Sequence, residues 1–161
     1  MAPVLTRAQM VELRLRWKQA GLQVVFTNGC YDLLHPGHVR LLERARSLGD
    51  KLILALNTDA SVSRAKGPSR PLMNQEQRAG LTRSLASVDA VVFFDEDTPR
   101  ELIAEVLPDV LVKGADWAHF IAGREEVEAA GGRVEALPLE PGFSSTNIEA
   151  EILSRAVGVR A

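Results

Sequence analysis

Short, continuous apolar runs, separated by helix signals, constrain the fold of this chain more than any other feature. Five such runs recur at 23–27, 51–56, 88–94, 109–113 and 133–137. A strand with one face in water would alternate apolar and polar residues, so continuous runs indicate strands that are covered on both faces. The sequence therefore predicts an α/β fold, a doubly wound, Rossmann-like, five-stranded parallel sheet with helices on both faces.

Helix start and stop signals fill the intervals between these runs. Thr6 is predicted to cap a helix at about 7–20, which ends before Gly21. Pro36 suits the first turn of a second helix, which is expected to stop at Gly49. Further helices are predicted at 74–86, at 98–107, at 125–130 and from about residue 146, the first two from capping-box patterns.

The whole chain, residues 1–161, is predicted to form a single domain with its core at about 23–153. Its longest irregular stretch is predicted at 58–73, and loops of that length are usually functional or disordered. Because this stretch carries Lys66 and Arg70, we interpret it as a mobile phosphate-binding lid. A solvated linker is the alternative.

Charge and composition exclude several classes of partner. The 19 Lys and Arg are balanced by 21 Asp and Glu, so no overall field attracts nucleic acid or a membrane surface. No apolar run approaches the roughly 20 residues that cross a bilayer, and the first thirty residues lack the apolar core of a secretion signal. The lone Cys30 cannot form an internal disulfide. A cytoplasmic location is therefore expected.

Ligands of doubly wound sheets bind beyond the carboxyl ends of the strands. The loops at these ends are predicted at 27–38, 57–73, 113–124 and 138–146. The first of them leads into a helix whose amino end offers free N–H groups and partial positive charge. Gly37 allows a phosphate close to the backbone, while His35 and His38 can converge on it as hydrogen-bond donors. We predict a phosphate site here. Helix capping and metal binding are alternatives, but no further metal ligands at suitable spacing are nearby.

The turn His35-Pro36-Gly37-His38 resembles the His-x-Gly-His signature of the nucleotidyltransferase superfamily related to class I aminoacyl-tRNA synthetases. Over about 23–153 the chain also resembles the adenylyltransferase family of ADP-heptose synthesis. The matching segments are 26–32, 48–50, 57–61, 66–71, 97–99, 108–114 and 142–146. The resemblance implies transfer of AMP from ATP to D-glycero-β-D-manno-heptose 1-phosphate, with release of pyrophosphate, for the lipopolysaccharide core. The implied partners are ATP and a sugar phosphate, with Mg²⁺ as cofactor.

The resemblance also implies a set of site residues. The expected catalytic residues are His35, His38 and Lys66, and no residue is assigned as a metal ligand. Lys113 is expected near the triphosphate, and Asp32 to orient metal or substrate unless it is only a turn former. The nucleotide-binding residues are expected to be Phe26, Thr27, Asn28, Gly29, Cys30, Asp32, Gly37, Asn57, Arg70, Lys113, Gly114, Asp116, Ser144, Ser145 and Thr146.

The start of the last helix carries the weakest of these motifs. Hydroxyls at 144–146 are expected to cap the helix and to contact the triphosphate. Relatives often have a basic residue two or three positions later, where this chain has Asn147, Ile148 and Glu149. Arg70 or Arg78 is therefore expected to supply the missing charge.

The sequence is also compatible with two other functions. Ala115, Trp117 and Ser145 depart from the heptose family, and the 113–117 segment also resembles glycerol-3-phosphate cytidylyltransferase. A cytidylyltransferase acting on a polyol or amino-alcohol phosphate is therefore one alternative, and a nucleotide-binding sensor without turnover is another. No catalytic role is expected for Cys30. For Trp117 and Arg124, packing or solvation is favoured over contact with the sugar phosphate, whereas a functional role and a surface position are equally favoured for His119. A homodimer through the apolar side of the 7–20 helix is also expected.

Overall fold

The computed structural model describes residues 1–115 and 120–158, and their strands form a six-stranded parallel sheet. The strands are β1 (Val4–Leu5), β2 (Val24–Gly29), β3 (Lys51–Asn57), β4 (Ala90–Phe94), β5 (Val110–Gly114) and β6 (Arg133–Leu137). The predicted Rossmann-like parallel α/β fold is confirmed. The predicted number of five strands is wrong, because β1 pairs with Val91 and Val92 at the edge of the sheet. A strand of two residues is too short to produce a recognisable apolar run.

Seven helices are present in the described residues. They are α1 (Arg7–Gln19), α2 (Pro36–Arg46), α3 (Asp59–Lys66), α4 (Gln75–Thr82), α5 (Arg100–Val106), α6 (Arg124–Ala129) and α7 (Ser145–Gly158). The side chains of Thr6 and Asn74 cap α1 and α4 in capping boxes, and Pro36 opens α2, as predicted. The capping box predicted at Thr98 is wrong, because Pro99 occupies the cap position of α5 and no side chain bonds there.

The stretch 58–73, which was expected to be irregular, contains helix α3. The side chain of Thr58 accepts a hydrogen bond from the backbone N–H of Ser61 and so caps that helix. The helix ends at Lys66 because Gly67 follows with a φ of 96°, a left-handed value that glycine adopts easily. Only residues 67–74 connect α3 to α4.

The core lies on both faces of the sheet. Phe26 and Ile53 belong to the cluster on one face, and the preceding and following strand residues, Val25 and Leu54, belong to the cluster on the other. This explains why the strands read as continuous apolar runs. The apolar side of α1 packs on the first of these clusters through Met10, Leu13 and Trp17, so that side is not free to form the expected dimer contact.

The strand order places the predicted binding site. The order is β1-β4-β3-β2-β5-β6, so the chain proceeds from β2 to β3 and β4 and then crosses to β5 and β6 on the other side of β2. The switch in direction lies between β2 and β5. Ligands are expected beyond the carboxyl ends of these two strands, near Gly29 and Gly114.

A separate observation concerns membranes. Among residues 1–115 and 120–158, no helix is both long and apolar enough to cross a bilayer.

Candidate active site

The two predicted histidines come together at the amino end of α2. His35 occupies the cap position, and its Nδ1 accepts a hydrogen bond of 3.3 Å from the backbone N–H of His38. Pro36 holds the first helical turn between them. The two imidazole rings stack with their centroids 3.7 Å apart and their planes 16° apart. The switch point thus presents a paired imidazole surface at the amino end of α2, which carries partial positive charge.

Close packing favours glycine at position 37. A Cβ at this position would lie 3.1 Å from His35 Nδ1 and 3.1 Å from Phe143 Cβ, which is tighter than most contacts of real Cβ atoms. Phe143 precedes α7, and its ring lies 6.3 Å from that of His35 in a stacked arrangement. The missing side chain therefore lets the segment before α7 approach the histidine pair.

Both histidines are neutral at pH 7. Burial, with smaller contributions from His35 and from the charge of Lys66, lowers the pKa of His38 to about 4. Burial also lowers the pKa of His35. Neutral imidazoles can donate hydrogen bonds to a phosphate but carry no charge. Positive charge at this site must come from the amino end of α2 and from lysine.

Lys66 lies on the same side of the sheet as the histidine pair. It is exposed in the last turn of α3, and it is near enough to His38 for its charge to act on the imidazole. Lys113 is half-buried at the end of β5, next to Gly114. Lys66 follows β3 at the end of α3, Lys113 lies in β5, and β3 and β5 are the two neighbours of β2 in the sheet.

One buried polar atom at the switch point is unsatisfied. Asn28 Oδ1 has no hydrogen-bond partner within the described ranges 1–115 and 120–158, whereas the imidazole of His38 interacts with the backbone of Leu33. Buried polar atoms in folded proteins nearly always have partners, so each exception calls for an explanation. A polar ligand at the ends of β2 and α2 would provide one.

Asp32 anchors the 67–74 loop through both oxygens of its carboxylate. Its side chain is buried, and its carboxylate accepts hydrogen bonds from the N–H groups of Leu72 and Met73, each at 2.9 Å, and from Arg70 at 2.9 Å. Burial alone would raise the pKa of Asp32, but these donors outweigh it and hold the pKa below its usual value. The loop that was expected to be a mobile lid is thus fastened at its carboxyl-terminal half.

Arg70 is shared between two carboxylates. One guanidinium nitrogen bonds to Asp32 and another to Glu149 of α7, so the loop is connected to the last helix. These acids raise the pKa of Arg70. Arg70 was expected to supply the positive charge that is missing after 144–146, but its charge is paired with these two acids.

Arg78 has a role that sequence reasoning missed. It is fully buried and donates hydrogen bonds to the carbonyl oxygens of Cys30 (2.7 Å), Asn57 (2.8 Å) and Met73 (3.1 Å), and to the carboxylate of Asp59 (2.8 Å). The guanidinium therefore joins the ends of β2 and β3 to α3 and α4. It is not available as the phosphate ligand considered from the sequence, and an arginine within a short polar helix gives no signal of such burial.

The remaining residues expected at the nucleotide reach it unequally. The side chain of Phe26 is fully buried in the core, so only its backbone can face the site. Thr27 donates a hydrogen bond of 3.1 Å to the carbonyl of Val112 and joins β2 to β5. Asn57 is bonded to Ser61 and accepts a weak hydrogen bond from the thiol of Cys30.

The amino end of α7 adjoins the β2–α2 loop. Ser144 Oγ accepts a hydrogen bond of 3.0 Å from the N–H of Asn147 and so caps the first turn. Ser145 Oγ donates a hydrogen bond of 3.2 Å to the carbonyl of Leu33, and Thr146 is exposed. Three of the four predicted loops therefore meet around the histidine pair.

The fourth predicted loop, 113–124, lies only partly within the described residues. Asp116, Trp117 and His119 lie outside the described residues. Arg124 pairs with Glu128 one turn further along α6 at 3.0 Å, as in a solvated helix.

The chain was compared with known families and proteins. The cytidylyltransferase-like family matches residues 26–151. The chain is 50% identical to the bifunctional protein HldE of Koribacter versatilis over 148 residues, which is 91% of this chain and 30% of that protein. It is 56% identical to the bifunctional protein HldE of Photorhabdus laumondii over 146 residues, 90% of this chain and 31% of that protein. The chain thus spans less than a third of the length of these relatives.

Two solved structures are also similar. The lipopolysaccharide core biosynthesis protein of Thermoplasma volcanium GSS1 superposes with a TM-score of 0.61 at 27% identity, covering 74% of this chain and 98% of that one. The pantoate-beta-alanine ligase of Francisella tularensis superposes with a TM-score of 0.63 at 16% identity, covering 92% of this chain and 76% of that one. At that identity the second similarity shows the fold alone.

Proposed function

Since the chain belongs to the cytidylyltransferase-like family, we propose that it transfers AMP from ATP to D-glycero-β-D-manno-heptose 1-phosphate, giving ADP-heptose and pyrophosphate for the lipopolysaccharide core. The observation that carries the transfer chemistry is the stacked pair of His35 and His38 at the amino end of α2, beside the switch point of the sheet. Phosphate groups bind at such helix ends through free N–H groups.

The choice of acceptor rests on similarity. Relatives named HldE align with about nine tenths of this chain at 50% and 56% identity. A solved protein named for lipopolysaccharide core biosynthesis is 27% identical. The resemblance to the adenylyltransferase of ADP-heptose synthesis extends beyond the histidine turn, through 57–61 and 66–71. These segments support a heptose phosphate as acceptor.

The reaction needs no covalent intermediate on the protein. An oxygen of the acceptor phosphate attacks the α-phosphorus of the nucleotide, and the bond from that phosphorus to the bridging oxygen breaks as pyrophosphate leaves. Positioning and electrostatic stabilisation supply most of the rate in such transfers. His35 and His38 donate hydrogen bonds to the phosphates, while Lys66 and the amino end of α2 supply positive charge.

Magnesium enters this scheme as part of the nucleotide substrate. Within 1–115 and 120–158, no group of three or more His, Cys, Asp or Glu side chains is placed to hold a metal ion. Both carboxylate oxygens of Asp32 are already engaged with the 67–74 loop. Mg²⁺ is commonly held by substrate phosphates and water with few protein ligands. The chain therefore fits a Mg²⁺–triphosphate complex better than a resident metal.

A cytidylyltransferase acting on glycerol 3-phosphate or a similar acceptor is the second candidate. It is favoured by the 113–117 segment, which resembles glycerol-3-phosphate cytidylyltransferase. A sensor without turnover would bind nucleotide in the same place but release no pyrophosphate.

The acceptor is identified by measuring pyrophosphate release with ATP and a panel of phosphates, including heptose 1-phosphate in both anomeric forms and glycerol 3-phosphate. We expect release only with the β-anomer of heptose 1-phosphate, and ADP-heptose as the second product. The double variant His35→Ala/His38→Ala is the control for contaminating activity. Turnover with glycerol 3-phosphate alone, or nucleotide binding without any release, would refute this assignment.

A further inference from the structure

Tyr31 is a buried aromatic residue with an unfavourable backbone conformation. Its φ is 50°, and only 5% of its surface is exposed. Bulky residues rarely adopt this left-handed region, whereas glycine does so without penalty. Such strain persists only where the surrounding structure requires it, and it is concentrated near functional sites. The side chain at this position must therefore contribute something that glycine would not.

The ring of Tyr31 packs against His38. The two ring centroids lie 4.7 Å apart with their planes tilted by 43°, and His38 stacks in turn on His35. Tyr31, His38 and His35 thus form a column of three rings at the switch point. The end of this column away from His35 is buried in the core cluster that contains Leu42.

The ring is also held from the sides. A Cβ on Gly29 would lie only 2.9 Å from Tyr31 Cε2, so the end of β2 is in close contact with the ring. The hydroxyl of Tyr31 interacts with the side chain of Thr27, which donates to the carbonyl of Val112. The aromatic side chain is therefore held against the end of β2, which Thr27 connects to β5.

We propose that Tyr31 is a positioning residue for His38: its ring is the wall that holds the imidazole against His35 and shields it from water. The role in turnover rests on the proposed transfer function, but the packing of His38 does not. A competing explanation is that the left-handed turn only directs the neighbouring Asp32 toward the 67–74 loop. In that case the backbone conformation would matter and the ring would not.

Two substitutions separate the ring from the backbone. Tyr31→Asn removes the ring but suits a left-handed conformation, because asparagine tolerates it better than most residues. Tyr31→Phe keeps the ring and removes the hydroxyl. The ring proposal predicts that Tyr31→Phe resembles the wild type and that Tyr31→Asn does not.

The first readout is an NMR titration of the imidazoles without substrate, which is practical because the chain has three histidines. We expect the pKa of His38 to stay low in the wild type and in Tyr31→Phe, and to rise toward its ordinary value in Tyr31→Asn. An unchanged pKa of His38 in Tyr31→Asn would overturn the proposal. Equal rises in both variants would also overturn it, since the hydroxyl and not the ring would then be responsible.

The second readout is the division of the effect between kcat and KM. Because misplacement of a catalytic group by about 1 Å can cost on the order of a hundredfold, we expect Tyr31→Asn to lower kcat by about tenfold to a hundredfold and to change KM for ATP little. A rise in KM alone would overturn the proposal. If the wild type transfers nothing, the proposed function fails, while the titration still decides the position of His38.

A third variant decides the case if Tyr31→Asn does not fold. Gly29→Ala keeps Tyr31 but places a methyl group against its ring, which must move. A shift in the pKa of His38 in folded Gly29→Ala would support the proposal that the ring of Tyr31 positions His38. An unchanged titration, with the ring displaced in the NMR spectrum, would overturn it.

Discussion

Replacing His38 with alanine removes one neutral hydrogen-bond donor from the first turn of α2. The helix keeps its free N–H groups and its cap, because His35 Nδ1 bonds to the backbone N–H of residue 38 and not to its side chain. The substitution therefore tests the imidazole with little change to the helix. Loss of one pre-positioned donor at a developing charge typically costs about 3 kcal/mol, or roughly a hundredfold or more in rate.

The low pKa of His38 determines how this loss divides between kcat and the affinity for ATP. At pH 7 the imidazole is neutral, so the variant loses no positive charge and electrostatic attraction for ATP is retained. If the hydrogen bond strengthens in the transition state, kcat falls far more than ATP affinity. His35→Ala should behave similarly. The double variant should lose less than the product of the single losses, because both rings act on one phosphate group.

Single-turnover kinetics and nucleotide titration separate these quantities. His35→Asn is a matched control for His35→Ala, because asparagine preserves a side-chain cap whose loss would cost about 1 kcal/mol. Variants that bind ATP poorly yet turn over normally at saturation would show that the pair contributes to ATP binding and not to transition-state stabilisation. Full activity in both single variants would refute the reasoning.

Three further changes test other parts of the site. Lys66→Ala should strongly lower kcat but leave Tm unchanged, because Lys66 is exposed. Arg64→Ala, in the same turn, should change neither kcat nor Tm. Unfolding or normal turnover of Lys66→Ala would contradict this expectation. Asp32→Asn should lower the free energy of unfolding by about 3 kcal/mol, because an NH₂ group replaces the buried carboxylate oxygen that bonds Arg70 and the negative charge is lost. Glu149→Gln should cost less than about 1 kcal/mol in urea titrations; equal costs would show that Asp32 does not anchor the 67–74 loop. The pKa of His38 is about 4 in the folded protein and about 6.5 in the unfolded chain, so the contribution of His38 to stability is complete above about pH 6.5 and declines toward pH 4, by about 3 kcal/mol at most. A difference in the free energy of unfolding between wild type and His38→Ala that does not vary with pH would exclude the low pKa.

The parts of this fold that depend on local sequence were predictable. Continuous apolar runs identified β2 to β6, and the caps at Thr6 and Asn74 identified two helix starts. Strand β1 was missed because two residues carry no periodicity. Helix α3 was missed because Val62 is the only large apolar residue among its eight and because Gly67 and a proline follow, which suggested a loop.

The site was only partly predictable, because several contacts join distant parts of the chain. The histidine pair is encoded in four consecutive residues, so the sequence was sufficient to predict it. Asp32 bonds to N–H groups 40 and 41 residues away, and the fully buried Arg78 bonds to carbonyl groups 48 and 21 residues away. No local pattern announces these partners. The ring of Tyr31 likewise reaches His38 only because of a left-handed turn that the sequence does not signal.

The ratio of kcat/KM for ATP to that for CTP, at saturating heptose 1-phosphate, distinguishes an adenylyltransferase from a cytidylyltransferase. We expect a clear preference for ATP, because the chain resembles the heptose adenylyltransferases through 57–71 as well as at the histidine turn. A clear preference for CTP would contradict the assignment as an adenylyltransferase.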